Sequence, residues 1–340
     1  MIQRLVLFFC LSLFTGIALA ETDRATLIGF ANSLVKVEAV DPEDRYHLGT
    51  GVTVAPGTVI TNCHVTRYAQ RIRLVKGGLP YAVESEWSDL EHDLCLLYSS
   101  GFEAVPVELG AAGKLRLGQK VAAIGFTGGL EIQVREGKVE GLYRHDGARV
   151  IQTSTAFSSG ASGGGLFDEQ GRLVGILTYR LRGVNGYYFS TPVEWFVSNI
   201  ADRSQYKRVS PLVGAAPFWQ GAQDSLPYFM RVSSLASDKR WMDVVELTEQ
   251  WSSAETDNAE PWFARGSAFE NLQRSDAATK AYRRAVALDP YHSLAWFNLG
   301  RLYQISGDKD SVREVREKLR SLDGDLFQQF LSDGAANAKK

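Results

Sequence analysis

From about residue 24 to residue 190, apolar and β-branched residues come in short runs, each closed by Gly, Pro, Asn or a charge. The clearest lie at 49–54, 58–60, 71–75, 94–98, 120–124, 132–139, 150–153, 173–179 and 187–191. Runs this short, bounded by turn residues, predict β-strands. A series of them with Gly-rich turns and few helices predicts an all-β barrel or sandwich. The stretch Thr191-Pro192-Val193-Glu194 then carries helix-start chemistry. Its hydroxyl can cap, proline suits the first turn, and the glutamate completes a capping box. It predicts a helix that closes the first domain near Arg203. Residues 205–224 hold Pro211, Gly214, Pro217 and Gly221 among small residues and read as a linker.

Beyond the linker the period lengthens. Trp262-Phe263, Gly266 and Phe269 return as Trp296-Phe297, Gly300 and Tyr303, each 34 positions further on. Ala278, Tyr282, Ala285 and Pro290 complete the first copy. This resembles the tetratricopeptide repeat (TPR), a pair of antiparallel helices. The small glycine lets one helix pack closely on its partner, and the proline stops the second helix. Two departures stand out: Arg265 replaces an expected apolar residue, and Gly324 stands where a second proline would fall. Tyr228, Leu235, Val244 and Trp251 fit a degenerate earlier copy, and Leu326, Phe327, Phe330 and Leu331 a capping helix. The TPR-like helical region is expected over 225–333, with 334–340 a disordered tail. A plain helical bundle is the alternative.

Composition excludes several classes. The 340 residues carry 37 Lys and Arg against 39 Asp and Glu, so neither a nucleic-acid groove nor a polybasic membrane patch has support. The amino end is the exception to an ordinary globular composition. Arg4 precedes an apolar stretch over residues 5–14, and Ala18-Leu19-Ala20 offers the small-x-small pattern of a signal peptidase site. Residues 1–20 are read as a signal peptide cleaved near Ala20, which exports the chain and leaves no membrane anchor. Cys10 leaves with that segment. Cys63 and Cys95 remain, in a compartment that permits a disulfide.

The candidate chemistry begins at Gly160-Ala161-Ser162-Gly163-Gly164. A serine between glycines sits on a tight turn where backbone N–H groups can converge on an oxyanion. The same spacing fits the nucleophile elbow of α/β-hydrolases, whose acid and histidine follow the serine. Here His292 is the one histidine after Ser162, at a turn between two helical repeats, and reads as a surface residue. His47, His64, His92 and His145 precede it. His64 ends a β-branched run, and Asp93 heads the strand Leu94-Cys95-Leu96-Leu97. The order His, Asp, Ser on an all-β scaffold is the chymotrypsin-like arrangement.

Taken together, Gly49-Thr50-Gly51-Val52, Thr61-Asn62-Cys63-His64-Val65, Asp93-Leu94-Cys95-Leu96-Leu97 and Gly160-Ala161-Ser162-Gly163-Gly164 resemble a trypsin-like serine protease of the HtrA type. Val121-Ala122-Ala123-Ile124-Gly125 resembles the strand that opens the second barrel. The resemblance covers roughly residues 27–200. It implies a multidomain chain, with a double β-barrel protease domain over 24–204 followed by the all-α repeats. It also implies the roles. Ser162 is the nucleophile, His64 the general base and acid, and Asp93 the group that orients the imidazole. His92 and Asp89 compete locally with Asp93, which the resemblance favours because it sits immediately before the apolar strand, whereas Asp89 falls earlier in the loop. The N–H groups of Gly160 and Ser162 are the oxyanion hole. Because such a triad brings His64 and Asp93 together, it also brings Cys63 near Cys95, and a disulfide between them is expected. Ala156, six before the nucleophile, marks the base of the primary specificity pocket. An acid there would select Lys or Arg, so alanine implies a small or medium apolar preference.

HtrA-type proteases usually carry PDZ domains, and this chain carries repeats instead. The expected function is an exported serine endopeptidase, periplasmic or secreted, acting on peptides or unfolded proteins. Its repeats would recruit a partner or substrate, or simply dock on the protease domain. The alternatives are a catalytically latent scaffold of protease fold and an adaptor acting through its repeats. No metal or other cofactor is called for, since His and Cys are too few and wrongly spaced for a cluster.

Overall fold

The structure, a computed structural model, describes residues 29–337 apart from residues 31, 129–130 and 182–186. The signal peptide expected over residues 1–20 lies outside the described residues. Strands β1 (Leu34–Val40), β2 (Tyr46–Ala55), β3 (Thr58–Thr61), β4 (Arg71–Lys76), β5 (Leu79–Ala82), β6 (Ser85–Asp89) and β7 (Leu94–Tyr98) come first. They form a sheet in the order β6-β7-β3-β2-β1-β4-β5. A late strand, β14 (Lys207–Arg208), joins its β6 edge. Then β8 (Lys120–Thr127), β9 (Glu131–His145), β10 (Ala148–Thr153), β11 (Gly165–Asp168), β12 (Leu173–Leu181) and β13 (Tyr187–Pro192) close into a barrel in the order β10-β13-β12-β11-β8-β9. Closure leaves no unpaired edge among the described strands of that half.

Alternation decides what each strand buries. Val35, Val37 and Ala39 of β1 pack with Val59, Ile72, Leu74 and Leu97 inside the first sheet. Leu34, from the opposite face of β1, joins Val52, Ile60, Leu94 and Leu96 against Ile124, Phe167 and Ile176 of the barrel. The two halves therefore share one seam of apolar side chains, and the candidate residues lie along its rim. Burial of this kind supplies most of the driving force for holding the halves together.

The helix expected from Thr191 to Arg203 does not form. Thr191 and Pro192 end β13, and the chain continues in short 3-10 turns at Val193–Trp195, Val197–Asn199 and Arg203–Gln205. The capping signal was recruited elsewhere: Glu194 Oε1 accepts the Gly113 N–H at 3.0 Å, across the fold. Residues 205–224 do not hang free as a linker either. Beyond β14, the Leu212 N–H bonds the Arg67 carbonyl, the Arg67 guanidinium bonds the Gly214 and Ala215 carbonyls, and the Phe218 N–H bonds the Glu91 carbonyl.

The helical part runs through α1 (Tyr228–Ser237), α2 (Trp241–Ala254), α3 (Glu260–Asn271), α4 (Ser275–Leu288), α5 (Ser293–Ser306), α6 (Lys309–Leu322) and α7 (Gly324–Asn337). The repeat glycines explain the pairing, since a Cβ on Gly266 would strike the Tyr282 ring of α4 and one on Gly300 would strike Val315 and Phe330. Arg265, out of place by the repeat pattern, is 8% exposed and donates to Thr248 and Ser252 of α2 while lying over the Trp262 ring. The carboxyl end departs from expectation, because α7 extends through Asn337. Among the described residues, no helix is long and apolar enough to cross a membrane.

The helices lie against the closed barrel. Phe229 of α1 stacks on Tyr143 of β9 at 4.6 Å, within an apolar cluster that also holds Val150, Tyr179 and Phe189. Arg144–Asp257 and Lys138–Asp325 ion pairs, at 2.8 and 2.9 Å, extend the contact along the stack. His292 is here corrected: it is 1% exposed, and its Nδ1 accepts the Ala295 N–H to cap α5.

Candidate active site

Asp93 sits at the mouth of β7 with φ of 61°, a left-handed conformation that few residues other than Gly, Asn and Asp adopt. Its carboxylate reaches His64 twice. Oδ1 accepts the His64 backbone N–H at 2.7 Å, and Oδ2 lies 2.6 Å from the His64 Nδ1. Asp93 is 1% exposed, whereas the His64 side chain is 28% exposed, so one end of the pair is dry and the other open. His64 belongs to a single helical turn, Cys63–Thr66, that follows β3 directly. The Cys63 N–H and the Asn62 side-chain amide both donate to the Asp93 carbonyl, which fixes the loop of one residue against the turn of the other.

Cys63 and Cys95 form a disulfide with their Cα atoms 5.0 Å apart. It clamps the helical turn to β7, one residue from the His64 ring and two from the Asp93 carboxylate. On the chain-entropy estimate, closing a loop of this length stabilises by roughly 3–4 kcal/mol.

Ser162 arrives on the opposite side, from the barrel. The Ala161 N–H bonds the Ser158 carbonyl at 3.0 Å, and Gly160 within that turn has φ of 94°. A positive φ at the third position is the signature of a type II turn and needs glycine. Thr50 holds the loop from the first sheet. Its N–H donates to the Ser162 carbonyl, its hydroxyl donates to the Gly160 carbonyl at 2.8 Å, and the same hydroxyl oxygen accepts the Phe126 N–H. A Cβ on Gly163 would collide with the Thr50 carbonyl and the Thr61 hydroxyl, so this approach depends on glycine. The N–H groups of Gly160 and Ser162 have no acceptor among the described residues. Nor does a hydrogen bond join Ser162 Oγ to His64 among them.

The other sequence candidates separate from this cluster. Asp89 takes His92 as its partner, 2.6 Å from Nδ1, and His92 stacks on Trp195. Burial opposes protonation of that histidine, but Asp89 and Asp146 outweigh it and hold its pKa above the ordinary value. His47 lies 3.3 Å from Asp41. Ala156 lines a cavity of about 220 Å³ with Phe157, Ser158 and Ala161, beside the serine loop.

Two neighbours were missed in the sequence. Thr178 accepts from Asn62 and so ties β12 to the His64 turn. Trp219, from the segment read as linker, stands edge-on to the His64 ring at 5.7 Å and stacks on Tyr179 at 5.2 Å. Its indole N–H is buried and unbonded among the described residues. Thr178 could have been suspected from its place on a strand after the serine. Trp219 gave no local signal, because its position is set by bonds from distant residues.

Comparison with known proteins agrees with this architecture. The family model for the trypsin-like peptidase domain matches residues 49–176, and that for the tetratricopeptide repeat matches residues 259–302. A probable periplasmic serine endoprotease DegP-like of Halomonas elongata is 31% identical over 170 residues, covering 47% of this chain and 36% of that protein. Protease Do-like 1, chloroplastic, of Arabidopsis thaliana is 33% identical over 161 residues, covering 43% and 36%. The chain thus matches about a third of the length of these relatives. The active form of the Rv3671c protease from M. tuberculosis shares the fold, with a TM-score of 0.50 and 19% identity over 56% of this chain and 88% of that one. Residues 49–176 are therefore a trypsin-like peptidase domain, followed in the same chain by tetratricopeptide repeat structure.

Proposed function

We propose that this chain is an exported serine endopeptidase that hydrolyses peptide bonds in peptides or unfolded proteins, using Ser162, His64 and Asp93. The observation that carries the reading is the double grip of Asp93 on His64, set opposite a serine loop that leaves two N–H groups unbonded. Ser162 Oγ attacks the scissile carbonyl as His64 Nε2 takes its proton. The charge that builds on the carbonyl oxygen is met by the N–H groups of Gly160 and Ser162, each such donor contributing about 3–4 kcal/mol in comparable sites. Asp93 holds the ring and stabilises the imidazolium. His64 then returns the proton to the leaving amine, and an acyl group remains on Ser162. Water, deprotonated by His64, releases it.

Export to the periplasm or the exterior is supported by the leader pattern, by the disulfide and by relatives named as periplasmic. The repeats are assigned to holding a partner or substrate segment on the faces not applied to the barrel. The test is hydrolysis of a reduced, unfolded protein by the purified mature chain beside Ser162→Ala. Cleavage by the first and none by the second, with matching circular dichroism, is expected. Cleavage that persists in Ser162→Ala would remove Ser162 from the role of nucleophile.

A further inference from the structure

We infer that the cavity beside Ser162 receives an acidic side chain, so that this enzyme cuts after Glu or Asp. The inference rests on the serine-protease reading and specifies its substrate. Ala156, Phe157 and Ser158, on the segment leading into the serine loop, form one side of the cavity, and Tyr188 of β13 faces Phe157 with ring centroids 5.2 Å apart. Ala161, the neighbour of Ser162, also lines it, and on the proposed mechanism a side chain seated there is assigned to the residue whose carbonyl Ser162 attacks.

The charge of the lining is one-sided. Arg135 of β9 and Arg180 of β12 both line the cavity, and among the described residues no carboxylate lines it. Several arginines of this fold have acids to bind, as in Arg71–Asp44, Arg73–Glu38, Arg144–Asp257 and Arg172–Asp168. Arg180 has neither a hydrogen bond nor an ion pair among the described residues, and Arg135 donates only to the Gln133 side-chain oxygen. Two cations thus stand at one cavity with their carboxylate valence unused. Guanidinium offers a planar fork that matches a carboxylate. Arg135 and Arg180 are exposed, and an ion pair out in water contributes little, so selection depends on the carboxylate being held between Phe157, Tyr188 and Leu177, where water screens it less. The same cations repel a Lys or Arg side chain, so selection works in both directions. Alanine at position 156 leaves the floor open and uncharged, where the sequence alone implied an apolar preference.

The test is a set of peptides identical except for the residue before the scissile bond: Glu, Gln, Leu or Lys. All four are assayed with wild type, Arg135→Gln and Arg180→Gln at low and high salt, with fluorophosphonate labelling of each preparation. The expected result is a Glu-to-Gln ratio in kcat/KM of about tenfold or more, the order of a charge-assisted hydrogen bond. That ratio falls towards one in Arg180→Gln and at high salt, and the Lys peptide is the poorest of the four. A labelled enzyme that prefers Leu or Gln to Glu overturns the pocket assignment alone. A protein that neither takes the label nor cuts any of the peptides overturns the protease reading and the pocket with it.

Discussion

Asp93 shows how much a single residue can carry. Its left-handed backbone costs conformational energy, yet it is the geometry that presents both carboxylate oxygens to His64, one to the backbone N–H and one to the ring. Replacement by asparagine would keep the shape but put an amide nitrogen where an acceptor is needed. Asp93→Asn is expected to lower kcat by on the order of 10⁴ while the chain still folds, as steady-state hydrolysis and circular dichroism would show. A loss below tenfold would mean that Asp93 is not the orienting acid. At this scale the pairing of His64 with Asp93 and the Cys63–Cys95 disulfide were legible in the sequence from short motifs, and the roles proposed for His64, Asp93 and Ser162 rest on those same motifs. What it could not show was how they are held. Thr50 bonds the serine loop from a strand more than a hundred residues earlier, and its hydroxyl looks like any other strand threonine.

Elements show where local signals were overridden. The cap-and-proline pattern at Thr191 was sound chemistry, but Thr191 pairs with Ile176 in the barrel and Glu194 bonds Gly113, so sheet pairing took the residues a helix would have used. Strand β9 was expected over 132–139 and runs from Glu131 to His145, because both halves of its length pair with neighbours. The segment after the barrel is the larger lesson. Gly- and Pro-rich composition reads as a linker, yet hydrogen bonds to Arg67 and Glu91 lay it across the first sheet and bring Trp219 to His64. Trp219 stands between His64 and Tyr179, and on the proposed function it occupies space that a substrate side chain next to the scissile residue would enter. Trp219→Ala is therefore expected to raise kcat/KM about tenfold for peptides with a bulky residue just before the one at the scissile bond, and little for those with glycine there. Equal effects on both peptides would show that the indole does not shape this part of the cleft.

Across the whole molecule, the repeats bring a buried carboxyl of their own, Glu260, against Glu140 and Tyr143 of the barrel. Glu260 begins α3 beside β9, with His292 Nε2 at 3.6 Å from its Oε1. Burial, reinforced by Asp289, pushes the Glu260 carboxyl up to about 8, and burial pushes the His292 imidazole down to about 4. A raised carboxyl favours folding while protonated, so its contribution is present below the usual carboxylate range and is lost as pH rises through about 8. A depressed imidazole works the other way, its contribution fading as pH falls from the ordinary histidine value towards 4. Melting temperatures should thus decline as pH rises from about 6.5, where the opposing His292 contribution is complete, to about 8, and Glu260→Gln should flatten that decline without raising stability under acid conditions. An unchanged decline over this window in Glu260→Gln would place its origin elsewhere. The two-part architecture was legible from the change in hydrophobic period. Docking of the repeats was one of two readings the sequence left open, and its residues were not legible, because nothing local marks Tyr143 and Phe229 as partners across the two halves.

The measurement that bears most directly on the account is covalent labelling of the purified mature chain with a fluorophosphonate, followed by peptide mapping. The account predicts one adduct, on Ser162, absent in Ser162→Ala and strongly slowed in His64→Ala, because only an activated hydroxyl next to an oxyanion hole reacts in this way. A chain that stays unlabelled, or carries its adduct on another residue, would contradict it.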